Sequence, residues 1–225
     1  MPIVSTELKK LEELTEPLLQ ASFPVSPGRT IASNHGYALY SALKRYQPWI
    51  EKCPHTLINT ISGLLNRQGG IETQEFSRLL IRTPISKASC LYALAGQDLT
   101  IGQGKISLGV PTIAPLNPKP FLRARIVIIH LKGSEQDSYR REVPPDRFLI
   151  AAIERLKTIG CSSGKLSLSV EKGRLARRVI VICKDRKATI PGYGVEISGL
   201  TDDDSLLLQQ VRFGSKKKMG GGSLL

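Results

Sequence analysis

Cysteine is scarce. Cys53, Cys90, Cys161 and Cys183 are widely scattered, and no two are spaced as Cys-x-x-Cys, which argues against a zinc site. Apolar neighbours around Cys90 and Cys183 predict buried free thiols, in keeping with a reducing, cytoplasmic setting. No run of 18 apolar residues occurs, so no membrane-spanning helix is expected. The N-terminus leads into charged residues without the apolar stretch of a signal peptide. Aromatics make up 5% of the chain, leaving few platforms for stacking bases. Histidine occurs three times, as His35, His55 and His130. No Ser/His/Asp set, carboxylate pair or metal-ligand spacing surrounds them, so neither a metal nor a cofactor is expected.

Positive charge, by contrast, is abundant. The net charge is +13 and the pI about 9.8. Residues 1–120 hold 12 basic and 8 acidic residues, a net of +4; residues 121–225 hold 20 and 11, a net of +9. A basic second half suits a polyanionic partner, nucleic acid first among them. At 225 residues and 41% hydrophobic, the chain can bury one large core or two small ones.

The end of the chain concentrates the signal. Thr201 or Asp202 can cap a helix over residues 202–212 with Leu206, Leu207 and Val211 as its apolar face. Gly214 stands where that helix should stop. From Gly214 to Gly222, four glycines and three lysines fill seven of nine positions. Glycine permits positive φ, and successive free N–H groups favour an anion. Alone, such a run also reads as a frayed basic tail.

The remaining pattern repeats once. Residues 6–16 predict an amphipathic helix, with Pro17 ending it. Residues 19–25 read as a strand, and Ser33 or Asn34 caps a helix carrying Ala38, Leu39, Ala42 and Leu43 on one face. Strands follow over 57–65 and 75–83 around the Gly69-Gly70 turn, then a helix over 86–95 and a strand or hairpin over 99–110. Four prolines mark residues 111–120 as a linker. A strand over 122–131, a helix over 144–159, strands over 165–170, 177–183 and 194–198, and the capped final helix complete a second series. The expected fold is α+β: tandem ferredoxin-like (RRM-like) β-α-β-β-α-β domains with a C-terminal glycine-rich loop. The domains are an N-terminal extension 1–17, a first unit 18–110, the linker 111–120 and an RNA-binding unit 121–225, with the loop at 214–222.

Several blocks of this sequence belong together. They are Asn34-His-Gly-Tyr-Ala-Leu-Tyr-Ser-Ala-Leu43, Pro48-Trp49, Ser77-Arg-Leu-Leu-Ile-Arg82, Leu94-Ala-Gly-Gln-Asp-Leu99, Phe121-Leu-Arg-Ala-Arg-Ile-Val127 and Lys218-Met-Gly-Gly-Gly222. In this order they resemble the Cas-six family of CRISPR-RNA-processing endoribonucleases. Arg212 stands where the family has the first loop glycine, and Glu51 lies where a histidine often follows Pro-Trp. The resemblance implies metal-independent cleavage of CRISPR repeat RNA: the 2′-OH attacks the adjacent phosphate, leaving a 2′,3′-cyclic phosphate and a 5′-OH. It implies repeat RNA as partner and assigns proton transfer to His35, since the family's first-helix histidine falls there. By position alone, His35 reads as a helix cap. Tyr37 and Tyr40 are placed to orient sugar or phosphate, although packing also accounts for both. His55 reads as a surface residue and His130 as a structural one.

RNA phosphates are expected along Arg123, Arg125, Arg147, Arg155, Arg174, Arg177 and Arg178, and in the loop at Gly214, Lys216, Lys217, Lys218, Gly220 and Gly222. Two other readings stay open. One is a non-catalytic CRISPR-RNA-binding subunit of an effector complex; the other is a basic scaffold or DNA-binding protein.

Overall fold

Strand Leu18–Pro24 is the axis of the first half, in a computed structural model that describes residues 16–130, 143–183, 187–211 and 213–225. The strand buries Leu18, Ala21 and Phe23. It pairs antiparallel with Arg78–Pro84 on one side and with Thr112–Pro115 on the other. Leu57–Ile58 extends the sheet beyond Arg78–Pro84, giving the order 57–58, 78–84, 18–24, 112–115. Helix Gly36–Tyr46 adds Leu39, Ala42 and Leu43 to the same core as Phe23, Leu79 and Ile81. Each of these leucine, isoleucine and phenylalanine side chains contributes roughly 1.5–3 kcal/mol when fully buried. A hairpin, Asp98–Ile101 with Gly104–Ser107, closes one end.

Three expectations change here. The run 57–65 does not stay one strand: Leu64–Leu65 leaves the main sheet to pair with Gly70–Glu72. At Gly63 a Cβ would sit 2.5 Å from Glu72 O, so the chain crosses its neighbour too closely for any side chain. The helix over 86–95 is broken into Ile85–Lys87, Ala88–Leu91 and Tyr92–Leu94, the first and last being tighter 3₁₀ turns. The proline-rich 111–120 is only partly a linker, because Thr112–Pro115 is an edge strand. Edge strands tolerate proline.

In the second half, Phe121–Val127 alternates. Leu122 and Ala124 enter a core with Phe148, Ala152 and Leu156 of helix Pro145–Ile159, leaving Arg123 and Arg125 on the opposite face. Pro144 precedes that helix, and Gly160 closes it at φ +90°. The 12-residue strand Lys187–Ser198 is central: it pairs with Phe121–Val127, with Lys165–Leu168, and in its first half with Arg177–Cys183. A bulge between Ala124 and Val127 re-aims the strand end. Ile126 and Ile128 thereby join Ile180 and Ile190 in a third core cluster.

Helix Asp202–Gln210 is capped by Thr201, whose hydroxyl accepts the Asp204 N–H. It ends before the expected residue 212, and it buries Leu208 with Ser205 and Gln209 while Leu206 and Leu207 are half-buried. After the glycine-rich segment the chain returns to the sheet at one residue pair, Arg123 and Leu225 exchanging both backbone hydrogen bonds at 2.9 and 3.0 Å. Cys161 is buried as a free thiol, but Cys90 is half-buried, because its helix shows it partly to solvent. Among the described residues no helix is long and apolar enough to cross a membrane. The helix expected over 6–16 falls outside the described residues except for Glu16, and so does Arg212.

Candidate active site and nucleic-acid interface

His35, rather than Ser33 or Asn34, is the residue that precedes helix Gly36–Tyr46. Its ring is 1% exposed. Nε2 accepts the Ile61 N–H at 2.9 Å, which leaves the proton on Nδ1, 2.8 Å from Ala32 O. Burial pushes its pKa down to about 4, against the hydrogen bond to Ala32; nearby Arg125 lowers it further. The ring is therefore neutral, and both nitrogens are committed to backbone groups. In this arrangement the His35 ring has no nitrogen lone pair left for a further partner. It ties residue 32 to residue 61 across the start of the helix.

The glycine-rich segment is not a tail. Ser215 N–H donates to Ile128 O (3.0 Å) and Gly222 N–H to Ile126 O (2.8 Å), so its two ends rest on adjacent rungs of one strand. Gly221 N–H closes it onto Lys216 O at 3.0 Å. Between them Lys216 takes φ +62° and Lys217–Met219 forms a 3₁₀ turn. Gly222 is required sterically: it has φ +67°, and a Cβ there would lie 2.1 Å from Phe213 O. Gly214 and Gly220 also have positive φ, and both are buried. A Cβ on Gly36 would lie 2.2 Å from Met219 O, so the helix's first turn and the loop are in direct contact.

That contact brings distant residues together. Lys218 donates to Glu51 O at 2.7 Å, and Lys217 to Pro54 O. Burial lowers the Lys218 pKa. The Glu51 carboxylate holds Lys44 at 2.7 Å and accepts the Tyr40 hydroxyl at 3.4 Å. Lys44 keeps the Glu51 pKa low, and burial with Glu51 nearby raises that of Tyr40. A cleft of about 300 Å³ is lined by Tyr40, His130, Ser215, Lys216, Lys217, Lys218 and Met219. His130 is exposed there, its Nε2 3.3 Å from Ser215 Oγ. Tyr40, chosen from sequence, thus meets the loop lysines; Tyr37 is half-buried one turn earlier on the helix. His130, Ser215 and Glu51 were not chosen. Only His130 carried a sequence signal, as a titratable group where an apolar strand ends.

The arginines divide. Arg125, Arg177 and Arg178 line a second cleft of about 250 Å³ with Ser33, Asn34 and Gly192. Arg125 spans the halves, donating to Ser33 O at 2.7 Å and Thr60 Oγ1 at 3.3 Å. Its burial lowers its pKa. Arg177 lies over the Tyr193 ring, 6.0 Å from its centroid. Arg123 is paired with Glu171 (2.9 Å) and Glu196 (3.4 Å), and Arg178 also binds Glu171. Arg174 is exposed at the tip of a two-residue hairpin turn. Arg147 and Arg155 lie on helix Pro145–Ile159, across the sheet from Arg123 and Arg125, so the arginines fall on two surfaces. Ser33 and Asn34 also border a third cleft of about 740 Å³ with Asn66, Gln68 and Gln103. Among the described residues no group of three or more His, Cys, Asp or Glu could hold a metal ion.

Residues 20–225 match the family described as Cas6 Crispr. The "CRISPR-associated endonuclease Cas6" of Myxococcus xanthus (strain DK1622) is 27% identical over 208 residues, which is 90% of this chain and 79% of that one. The solved structure "CRISPR associated protein Cas6" has a similar fold, with a TM-score of 0.62 at 15% identity, covering 92% of this chain and 98% of the other. A "Cas6-related gene from Pyrococcus furiosus" gives a TM-score of 0.56 at 14% identity with the same coverage.

Proposed function

The chain belongs to the Cas6 family, and from that membership we propose that it cleaves CRISPR repeat RNA into guide RNAs at the cleft between helix Gly36–Tyr46 and the glycine-rich loop. The observation that carries this reading is the convergence of Tyr40, His130 and Lys216, Lys217 and Lys218 on one cleft, from three separate parts of the sequence. Metal-independent attack by the ribose 2′-OH needs a proton acceptor, a cationic cradle for the phosphorane and a proton for the departing 5′-oxygen. His130 takes the 2′-OH proton as the 2′-oxygen bonds to phosphorus. The loop lysines stabilise the added charge. A lysine ammonium gives a proton to the 5′-oxygen as the P–O bond breaks, leaving a 2′,3′-cyclic phosphate and a 5′-OH. Tyr40 orients the sugar or phosphate. His35 fixes the helix start.

The RNA leaves this cleft along Arg125, Arg177 and Arg178, where phosphates meet a cationic wall. The strand orders support reading two ferredoxin-like units: 57–58, 78–84, 18–24, 112–115 in one, and 165–168, 187–198, 121–127 and the Leu225 pair in the other. The first unit then extends to residue 115 rather than 110.

Repeat RNA incubated in EDTA tests the proposal. Wild type should cut once per repeat and leave a cyclic phosphate. His130→Ala should be slower by about 10²-fold or more, and His35→Gln should retain the reaction to the extent that it folds. Undiminished cleavage by His130→Ala removes it from the mechanism. Tight binding without any cleavage by wild type would instead indicate a non-catalytic RNA-binding subunit.

A further inference from the structure

Arg82 is 2% exposed, and among the described residues no carboxylate is one of its hydrogen-bond partners. A buried guanidinium is costly unless its donors are met, and here four bonds meet four of its five N–H groups. Nε donates to Gln20 Oε1 at 3.0 Å, on the neighbouring strand. The other three bonds go to the second half. Nη2 donates to Gln209 Oε1 at 3.2 Å; Nη1 donates both to Gln209 O at 3.0 Å and to Leu224 O at 2.7 Å. Gln209 lies in the last turn of the final helix, whose C-terminal carbonyls favour a cation, and Leu224 follows the glycine-rich loop. One nitrogen therefore holds the chain just before and just after the loop. The Gln209 amide is itself oriented, since its Nε2 donates to Asn117 O at 2.8 Å and Ser205 Oγ at 3.3 Å.

We propose that Arg82 is a positioning residue, a clasp reaching from the first half's sheet that joins both ends of the glycine-rich loop and so holds Lys216, Lys217 and Lys218 against the helix Gly36–Tyr46. The relevance to catalysis rests on the cleavage reading above; the clasp itself does not. Lysine cannot replace it, because a single ammonium lacks the planar fork that reaches Gln20 and both carbonyls together.

The loop's own lysines report the clasp. In limited trypsin digestion of the full chain, Arg82→Met and Arg82→Lys should release peptides beginning at Lys217, Lys218 or Met219 at least about tenfold faster than wild type. Gln20→Ala leaves the Gln209 and Leu224 bonds in place and should resemble wild type. With repeat RNA, the Arg82 variants should lose single-turnover rate while their Kd changes little. Wild-type protection of the loop in folded Arg82→Met overturns the proposal. If both Arg82 variants digest throughout, native-state hydrogen exchange of the wild type decides: amides of residues 215–222 as protected as those of residues 79–83 support the clasp, and loop amides exchanging at least about tenfold faster overturn it. Absence of cleavage by wild type would remove the catalytic reading and leave the trypsin result standing.

Discussion

At the scale of single residues, the clearest lesson concerns His35. Its place at a helix start was legible. Its burial was not, because the backbone N–H that saturates it comes from Ile61, 26 residues on. No local pattern marks that partner. Conversely, His130 looked structural because the residues before it are apolar, yet the strand has ended and the ring is exposed. The His35 environment predicts a pH dependence. Its folded pKa of about 4 lies below the ordinary histidine value of 6.5, so the unfolded chain binds more protons between these values. The stability it contributes is full above pH 6.5 and is lost as pH falls through 4, about 3 kcal/mol in all. His35→Gln should be less stable at pH 7 but should show a flatter fall between pH 7 and pH 4, measured by denaturant unfolding. Parallel curves for the two proteins would contradict this.

At the scale of elements, helices Pro145–Ile159 and Asp202–Gln210 were placed in the sequence by the signals at their ends. Thr201 caps one, and Gly160 ends the other. Leu57–Leu65 misled because Leu57, Ile58, Ile61, Leu64 and Leu65 lie close enough to read as one strand, and only the close crossing at Gly63 reveals the break. The glycine-rich loop was legible as glycines and lysines, not as a packed object, because the surfaces that bury it lie on residues 36, 60 and 126–128. Gly36 is the tightest of these contacts. Gly36→Ala drives a methyl into Met219 O, which neither backbone can easily yield. It should cost about 1–3 kcal/mol and slow repeat-RNA cleavage. Unchanged thermal melting together with an unchanged rate would show that helix and loop are less tightly coupled than this.

For the whole molecule, charge forecast a polyanion partner but not where it lies. Spacing alone could not separate Arg147 and Arg155, on a helix, from Arg125 and Arg178 on the opposite face of the sheet. If about five phosphates are neutralised along the two basic clefts, the logarithm of RNA affinity should fall with that of salt at a slope of roughly −3.5 to −4.5. Titrations in several salt concentrations measure it, and a slope near zero would argue against phosphate contacts as the source of binding. The edge strand Thr112–Pro115 adds a consequence for biosynthesis. It pairs with Leu19–Ser22, about ninety residues earlier, so a nascent chain cannot complete its first sheet until the segment that looked like a linker has left the ribosome. Dividing the gene to express the first half alone therefore belongs after residue 115: a cut at 110 strips a strand from the sheet and leaves the edge of Leu18–Pro24 open to pairing with other chains.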